Sequence, residues 1–447
     1  MSDLPKGKVQ LLILGGESAP LRAPTEIALD LKPFEIPFTL IAKAGDKVKK
    51  GAPILADKNE PRRLFVSPAA GTITEVRRGL KRVLQEIVIA LDSEEEEVRL
   101  PPLNPNQVER AALLTRLLEG GAFAHIRNRP FNFLANPDKT PRSIFIQAVE
   151  SAPCVPPAEM QIEGEEKAFQ AGLNTLCKLT DGPVHLVYHA HSSARAFKDA
   201  QGVQKHTVEG PHPISAPSLH IQVIDRIQSP EDVIWSLNAH DVVMIGKLVT
   251  EGIYWTDRII GIGGNGMDPH KIGYFKVRAG FPIRALISGR LAHGTQRRIS
   301  GDPLIGHQVS ESDFLGFNDY AFTVIPENTH RQFLHFFRLG ADKYSCSGAY
   351  LSGHLQDRFY DFTTSLHGEH RPFIDSTLYQ KVQPLQIPTM LLCKAVLAED
   401  YDRAAELGLY EVVPEDFALT TFVDPSKIDM PGIIRKGLRE YAKEVLG

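Results

Sequence analysis

Few residues in this chain of 447 stand in patterns that do chemistry, and the tightest is Gly210-Pro211-His212-Pro213 with His220 close behind. Prolines on both sides of His212 restrict the backbone and aim the imidazole in one direction. An imidazole held this way donates to a carbonyl oxygen or shuttles a proton. The same four residues also suit a rigid turn with no chemistry. Other reactive types are scattered. Cys154, Cys177, Cys346 and Cys393 form no CxxC, so a zinc ribbon or a thiolate-ligated iron–sulfur cluster has no support. His189 with His191, and His367 with His370, offer paired imidazoles but no carboxylate or thiolate in a ligand pattern, so no metal is expected. Gly261-Ile262-Gly263-Gly264-Asn265-Gly266 satisfies GxGxxG, but Met267-Asp268-Pro269-His270 behind it is turn-like where a nucleotide site needs a helix N-terminus. It reads as a glycine-rich loop. There is no GxSxG elbow and no P-loop.

The elements that must position these residues change character along the chain. Residues 1–100 are β-rich, with turn glycines at Gly45 and Gly71 separating apolar runs at Phe38-Leu40, Val48, Ile54-Leu55, Leu64-Val66 and Ile73-Val76. A basic cluster (Lys47, Lys49, Lys50, Arg62, Arg63, Arg77, Arg78, Lys81, Arg82) marks this unit as a docking surface for an acidic partner or anionic headgroups, or as an ordinary solvated exterior. The acidic run Glu94–Glu97 reads as a solvated linker. Residues 101–257 alternate helix and strand. Asn104-Pro105 opens a helix closed by Gly120-Gly121, 143–149 and 184–190 are strands, 164–180 is a helix, and 219–225 and 241–249 read as further strands. Ser229-Pro230-Glu231-Asp232 reads as a helix start. That alternation predicts a three-layer α/β domain with a largely parallel sheet. Residues 258–330 predict a small α+β unit and 331–447 a helical one, ending in a stripe of Ile434, Leu438, Tyr441 and Val445 at helical spacing.

Hydrophobic content of 43%, charged content of 23% and a net charge of −4 describe a soluble multidomain α/β protein with no pull towards nucleic acid. No apolar run reaches the ~18 residues of a membrane span, and the first residues lack a signal peptide of the usual form. A cytoplasmic protein is expected, held at a membrane by partners.

GDKVKKGAPILADK (45–58) followed by SPAAGTI resembles the biotinyl/lipoyl-type barrel-sandwich domain, in which a lysine at a hairpin tip carries the swinging cofactor. Lys58 stands near that place, but Asn59-Glu60-Pro61-Arg62-Arg63 makes a longer polar connection, so a docking barrel is expected and not a carrier. Nearly the whole chain resembles the NqrA family of the Na⁺-translocating NADH:quinone oxidoreductase. The phrases are that run, FVSPAAGTITEVRRGLKRVLQ (65–85), GGAFAHIRNRPF (120–131), GPHPISAPSLHIQV (210–223), SGRLAHGT, ISGDPLIG and TTFVDPSKIDM (420–430). The resemblance implies a barrel-sandwich domain (1–100), a Rossmann-like domain (101–257), a β-grasp module of the soluble-ligand-binding (SLBB-like) type (258–330) and a helical C-terminal domain (331–447).

It also implies a peripheral subunit on the cytoplasmic face, joined to five other subunits (B, C, D, E and F), in a complex that passes electrons from NADH to ubiquinone and exports Na⁺. Related subunits of the electron-transport complex and of respiratory complex I admit flavin and NADH over a glycine-rich loop. Here that stretch is LLEGGAFAHIRNRPF (117–131), with bulky Phe123, His125 and Ile126, so no FMN or NADH site is expected. Where those relatives carry a ferredoxin-like cysteine motif, FALTTFVDPSK (417–427) places Phe417, Thr420 and Asp424, which cannot hold a cluster. No bound cofactor of its own is expected, with ubiquinone as a candidate ligand near His212, Pro213, His220, Arg127, Arg129 and Phe131. The second reading is an electron-carrying subunit of the related complex with its own flavin or clusters.

Overall fold

The computed structural model describes residues 21–329, 333–334, 337–355, 359–366, 368 and 370–446. His367 and residues 1–20 lie outside them. The first unit builds two small sheets from β1 (Glu26–Asp30), β2 (Phe38–Leu40), β3 (Lys47–Val48), β4 (Pro53–Asp57), β5 (Leu64–Val66), β6 (Gly71–Arg78) and β7 (Leu84–Leu91). Their orders are β1-β7-β6-β3 and β2-β4-β5, all antiparallel. Alternating apolar residues such as Ile54, Phe65, Ile73, Ile87 and Ile89 meet between the sheets with Phe34 at the centre.

The basic cluster of this unit is largely neutralised within the chain. Lys47 pairs with Asp92 at 3.1 Å, Lys49 with Glu96 at 2.8 Å, and Arg77 with Glu86 at 2.9 Å. Arg62 bridges Glu60 and Asp138, and Arg63 is buried against Asp57 and the Ala135 carbonyl. The acidic run is therefore a clasp and not a solvated linker: Glu96 and Glu97 return to the barrel, and Glu95 takes Arg278 of the third unit at 2.7 Å. Lys58 sits in a turn organised by Asp57, whose carboxylate accepts from Asn59 N at 2.8 Å.

The second unit runs α1 (Arg110–Glu119), β8 (Arg127–Arg129), β9 (Phe133–Leu134), β10 (Ser143–Ala148), α2 (Ala158–Ile162), α3 (Glu166–Leu179), β11 (Val184–His189), α4 (Arg195–Lys198), β12 (Gln204–Val208), α5 (Pro217–Ile224), β13 (Ile234–Asn238) and α6 (Ala239–Thr250). The sheet order is β12-β11-β10-β13-β8-β9, parallel through its first four strands and antiparallel at β8 and β9. Three expected elements differ. Residues 241–249 form α6 and not a strand. That helix is buried on nearly every side and lies on α3 so closely that a Cβ at Gly246 would meet the Ala168 carbonyl oxygen at 1.8 Å. Residues 219–224 fall in α5, started by Pro217 in its first turn, and Asp225 caps its end. Residues 229–232 form a turn into β13, with Asp232 paired to Arg142. The helix expected from Asn104 starts at Arg110.

The third unit is a five-stranded sheet, β15-β14-β18-β16-β17, built from β14 (Asp257–Gly263), β15 (Gly273–Arg278), β16 (Gln296–Ser300), β17 (His307–Gln308) and β18 (Ala321–Pro326), with α7 (Ile283–Ile287) packed on it. The last residues form α8 (Thr377–Gln380), α9 (Thr389–Leu397), α10 (Tyr401–Glu406), α11 (Ala418–Val423) and α12 (Met430–Leu446). Ile434, Leu438 and Tyr441 of α12 close their core as the stripe predicts.

Candidate functional site

In the second unit the chain goes outward on one side of β10 to β11 and β12 and returns on the other side as β13. The carboxyl ends of β10 and β13 therefore flank a switch point, where open α/β sheets form a crevice. Here the third unit covers it. Gln147, Glu150, Asn238, Ala239, His240 and Tyr320 line a cavity of about 10 Å³, room for a single water molecule. Around it runs a continuous buried network. Asn238 caps α6 reciprocally: its side chain accepts from Asp241 N at 2.9 Å, and the Asp241 carboxylate takes Asn238 N. His125 Nδ1 donates to Asp241 at 3.0 Å, which leaves Nε2 to accept from the Tyr254 hydroxyl at 3.3 Å. His240 Nε2 donates to the Asp257 carbonyl at 2.8 Å, so its Nδ1 accepts from Tyr320 at 3.2 Å, and Tyr320 in turn accepts from the Asn238 amide.

Burial pushes the His125 pKa down, while the pull and hydrogen bond of His125 hold the buried Asp241 carboxyl below the ordinary carboxylate range. Burial holds both tyrosines protonated. Glu150, at the cavity wall, is pushed up to about 8 by burial and by the Asp302 carboxylate of the third unit, with the Gln147 amide 3.1 Å away. The arrangement is a closed hydrogen-bonded network of titratable side chains, with no group of three or more ligating side chains among the described residues. Of its members only Asn238 and Asp241 share a local motif, the capping pattern, which was the one signal in the sequence.

The residues expected at the site occupy three places. His212 turns inward, its Nδ1 3.1 Å from the Ser151 hydroxyl, which also contacts Ser215 at 2.7 Å. His220, on α5, donates Nε2–H to the Ile214 carbonyl at 2.8 Å. Burial lowers both histidines to about 4. Arg129 is wholly buried and reaches Ser218 Oγ at 3.0 Å and the Glu411 carbonyl at 2.9 Å, tying β8 to α5 and to the C-terminal helices. Phe131 stacks on Phe133 at 5.7 Å and leans on Tyr441 of α12. Arg127 lies apart, its guanidinium 5.1 Å from the Phe34 ring centroid in the barrel. Burial lowers its pKa to about 10, and no carboxylate among the described residues is within ion-pairing distance. Arg129 thus meets the helix that carries His220, and His212 and Pro213 lie in the turn that leads into that helix, whereas Arg127 faces the barrel.

Gly261 and Gly263 fall within β14 and not in a loop, and a Cβ at Gly261 would meet the Cys154 carbonyl oxygen at 1.7 Å. Close strand packing explains that glycine. In 417–427, Phe417 fills the core and Thr420 bonds the Phe417 carbonyl at 2.9 Å. The buried Asp424 carboxylate accepts from Tyr379 OH at 3.0 Å, Ser426 N at 3.2 Å and Ile428 N at 3.0 Å. An aspartate anion here gathers the loop's donors. Asp424→Ala would orphan all three, and a loss of about 2–3 kcal/mol is expected by urea denaturation, with Asp424→Asn recovering part of it.

Residues 16–92 match the family model described as the NqrA N-terminal barrel-sandwich hybrid domain, and 108–254 the NqrA second alpha/beta domain. The chain is 34% identical over 433 residues to the A-subunit of the Na(+)-translocating NADH-quinone reductase of Chlamydia caviae, covering 94% of this chain and 92% of that one. It is 33% identical over 412 residues to the protein of the same name from Rhodopirellula baltica, covering 91% and 90%.

Proposed function

The chain belongs to the NqrA family of the Na(+)-translocating NADH-quinone reductase, and we propose that it serves that complex on its cytoplasmic face as a peripheral subunit without a redox group of its own, assisting electron delivery to ubiquinone. The observation behind this reading is the similarity over nearly the full length of both chains, combined with side chains that fill the places where a cofactor would enter. Phe123 is buried edge-on against Trp235 at 5.5 Å and Ile126 is buried beside it, in the stretch where a flavin or nucleotide would need bare backbone. Asp424 and Phe417 occupy the 417–427 frame as structural residues, and Cys393 and Cys154 are buried thiols whose pKa values burial pushes up to about 12 and about 11. On this reading the four units are a barrel-sandwich domain, a Rossmann-like domain, a β-grasp module of the soluble-ligand-binding type and a helical C-terminal domain. The other five subunits supply the membrane anchorage, the NADH chemistry and the Na⁺ path.

The purified chain is expected to show no flavin absorbance and no stoichiometric iron; either one present at one equivalent would overturn the reading in favour of an electron-carrying subunit. For ubiquinone, the candidate contact with the most open chemistry is Arg127, a half-buried cation over an aromatic ring with no ion-pairing carboxylate among the described residues. A guanidinium-to-carbonyl hydrogen bond contributes about 1.5–3 kcal/mol. Arg127→Ala is therefore expected to weaken binding of a soluble ubiquinone at least about tenfold in a fluorescence titration. His212→Ala, whose Nδ1 is already engaged by Ser151, should change it less. Equal responses from wild type and Arg127→Ala would remove Arg127 from the quinone contact.

A further inference from the structure

The basic cluster of the barrel leaves a remainder at one end. Strands β6 and β7 are joined by residues 79–83, a tight turn closed by Gly79 N to the Val83 carbonyl at 2.8 Å and by Arg82 N to the Gly79 carbonyl at 3.1 Å. At its tip Leu80 is 88% exposed and Val83 55%, more aliphatic surface than any other hairpin of the barrel presents. Arg78, Lys81 and Arg82 surround them, all exposed, and none of the three meets a carboxylate among the described residues. Every other cation of the cluster is paired. Lys81 and Arg82 hold left-handed backbone, at φ 54° and 61°, conformations that non-glycine residues adopt at a cost in strain of about 1 kcal/mol or more each. Among the described residues nothing packs on this arrangement: the tip buries no residue, and the core begins at Leu84.

We propose that this hairpin tip is a direct contact for the surface of an anionic phospholipid bilayer. Two aliphatic side chains at the outermost point, ringed by three unpaired cations, match the boundary between acyl chains and acidic headgroups. The chain as a whole carries a net charge of −4, so the local charge is not a general property of its surface. Five residues at a tip are also too few for a stable protein–protein interface, which buries about 800 Å² per partner. A bilayer needs no such area, because insertion depth and summed charge set the affinity. No helix of the described residues is long and apolar enough to cross a membrane, so the contact is peripheral and adds to whatever docking partner subunits provide.

The test is flotation of the purified full-length chain with vesicles of phosphatidylcholine alone or mixed with phosphatidylglycerol. Binding should appear with the anionic vesicles only, rise with their anionic fraction and fall as salt is added. The double variants Leu80→Ser/Val83→Ser and Lys81→Glu/Arg82→Glu should each reduce the bound fraction about tenfold with unchanged thermal unfolding, since all four side chains are exposed. Equal binding to both vesicle types, no binding at millimolar lipid, or anionic binding indifferent to both variants would overturn the proposal. So would loss of assembly with the other subunits in the charge-reversal variant alone, with no vesicle binding in any form, because the tip would then face an acidic protein.

Discussion

Replacing Arg129 by alanine is expected to cost about 3–5 kcal/mol of stability, a large part of the roughly 5–15 kcal/mol that a domain has. Its guanidinium is wholly enclosed where β8, α5 and the C-terminal helices meet, and it supplies donors to Ser218 and to the Glu411 carbonyl. Asp416 lies in its field. Burial raises that carboxyl to about 6, and the Arg129 charge is the main influence holding it down. Alanine therefore orphans two acceptors and removes the countercharge of a buried acid. Lysine should rescue little, because a single ammonium cannot reproduce the fork. The pH dependence identifies the cause. A carboxyl whose pKa is raised in the folded state favours folding below its unfolded value near 3.8, and that contribution is lost as pH rises through the folded value. Without Arg129 the folded value climbs above about 6, so the deficit relative to wild type should be larger at pH 8 than at pH 5.5 in urea titrations. A deficit independent of pH would point to lost packing alone.

The same residue shows how far the sequence could be read. Arg129 was legible as a member of a family phrase and as a candidate for binding, but its burial depends on helices that follow it by almost three hundred residues, and no local pattern encodes that. Strands β10 and β11 were legible because each is a short β-rich run ended by turn residues. Helix α6 was not. Ten of its twelve residues are buried, so the amphipathic period that distinguishes a helix from a buried strand is missing, and 241–249 look like a strand. The capping pair Asn238 and Asp241 carried the correct answer. Pro217 did the same for α5. The basic cluster misled for a related reason: charges counted along the chain carry no information about the acidic residues folded against them, and of that cluster only Arg78, Lys81 and Arg82 meet no carboxylate among the described residues. The hydrogen-bond network at the switch point was invisible because His125, Asp241 and Tyr254 come from separate elements of the second unit and Tyr320 joins them from the third.

The chain should lose stability steeply in mild acid, and the histidines beneath and beside α5 are the cause. His185 on β11 and His206 on β12 face each other at 3.0 Å, with the His185 ring over Phe145. His220 comes down from α5 onto the Ile214 carbonyl. The other charged groups near His185 are Asp225, which favours its charged form, and Arg142, which opposes it. Its Nε2 is buried with no partner, so a second proton would create an N–H with no acceptor while placing a positive charge beside His206. Burial depresses both His185 and His220 to about 4, against an ordinary value near 6.5. A histidine depressed in the folded state binds fewer protons folded than unfolded between those two values. Its contribution is therefore complete above about pH 6.5 and is lost as pH falls towards 4. Between pH 7.5 and pH 5 the loss is about 2 kcal/mol for each, and about 4 kcal/mol for the two. Urea midpoints at those two pH values measure it. Replacing His185 by Phe and His220 by Gln should make the profile shallower, since glutamine keeps a donor for the Ile214 carbonyl and neither residue titrates; the slope that remains includes His212, which burial also lowers to about 4. The local signature is amide exchange: protection of α5 and β12 should fall before that of α3, which carries no histidine. An acid profile unchanged by the double variant, or α5 protected as long as α3, would place the acid-sensitive groups elsewhere.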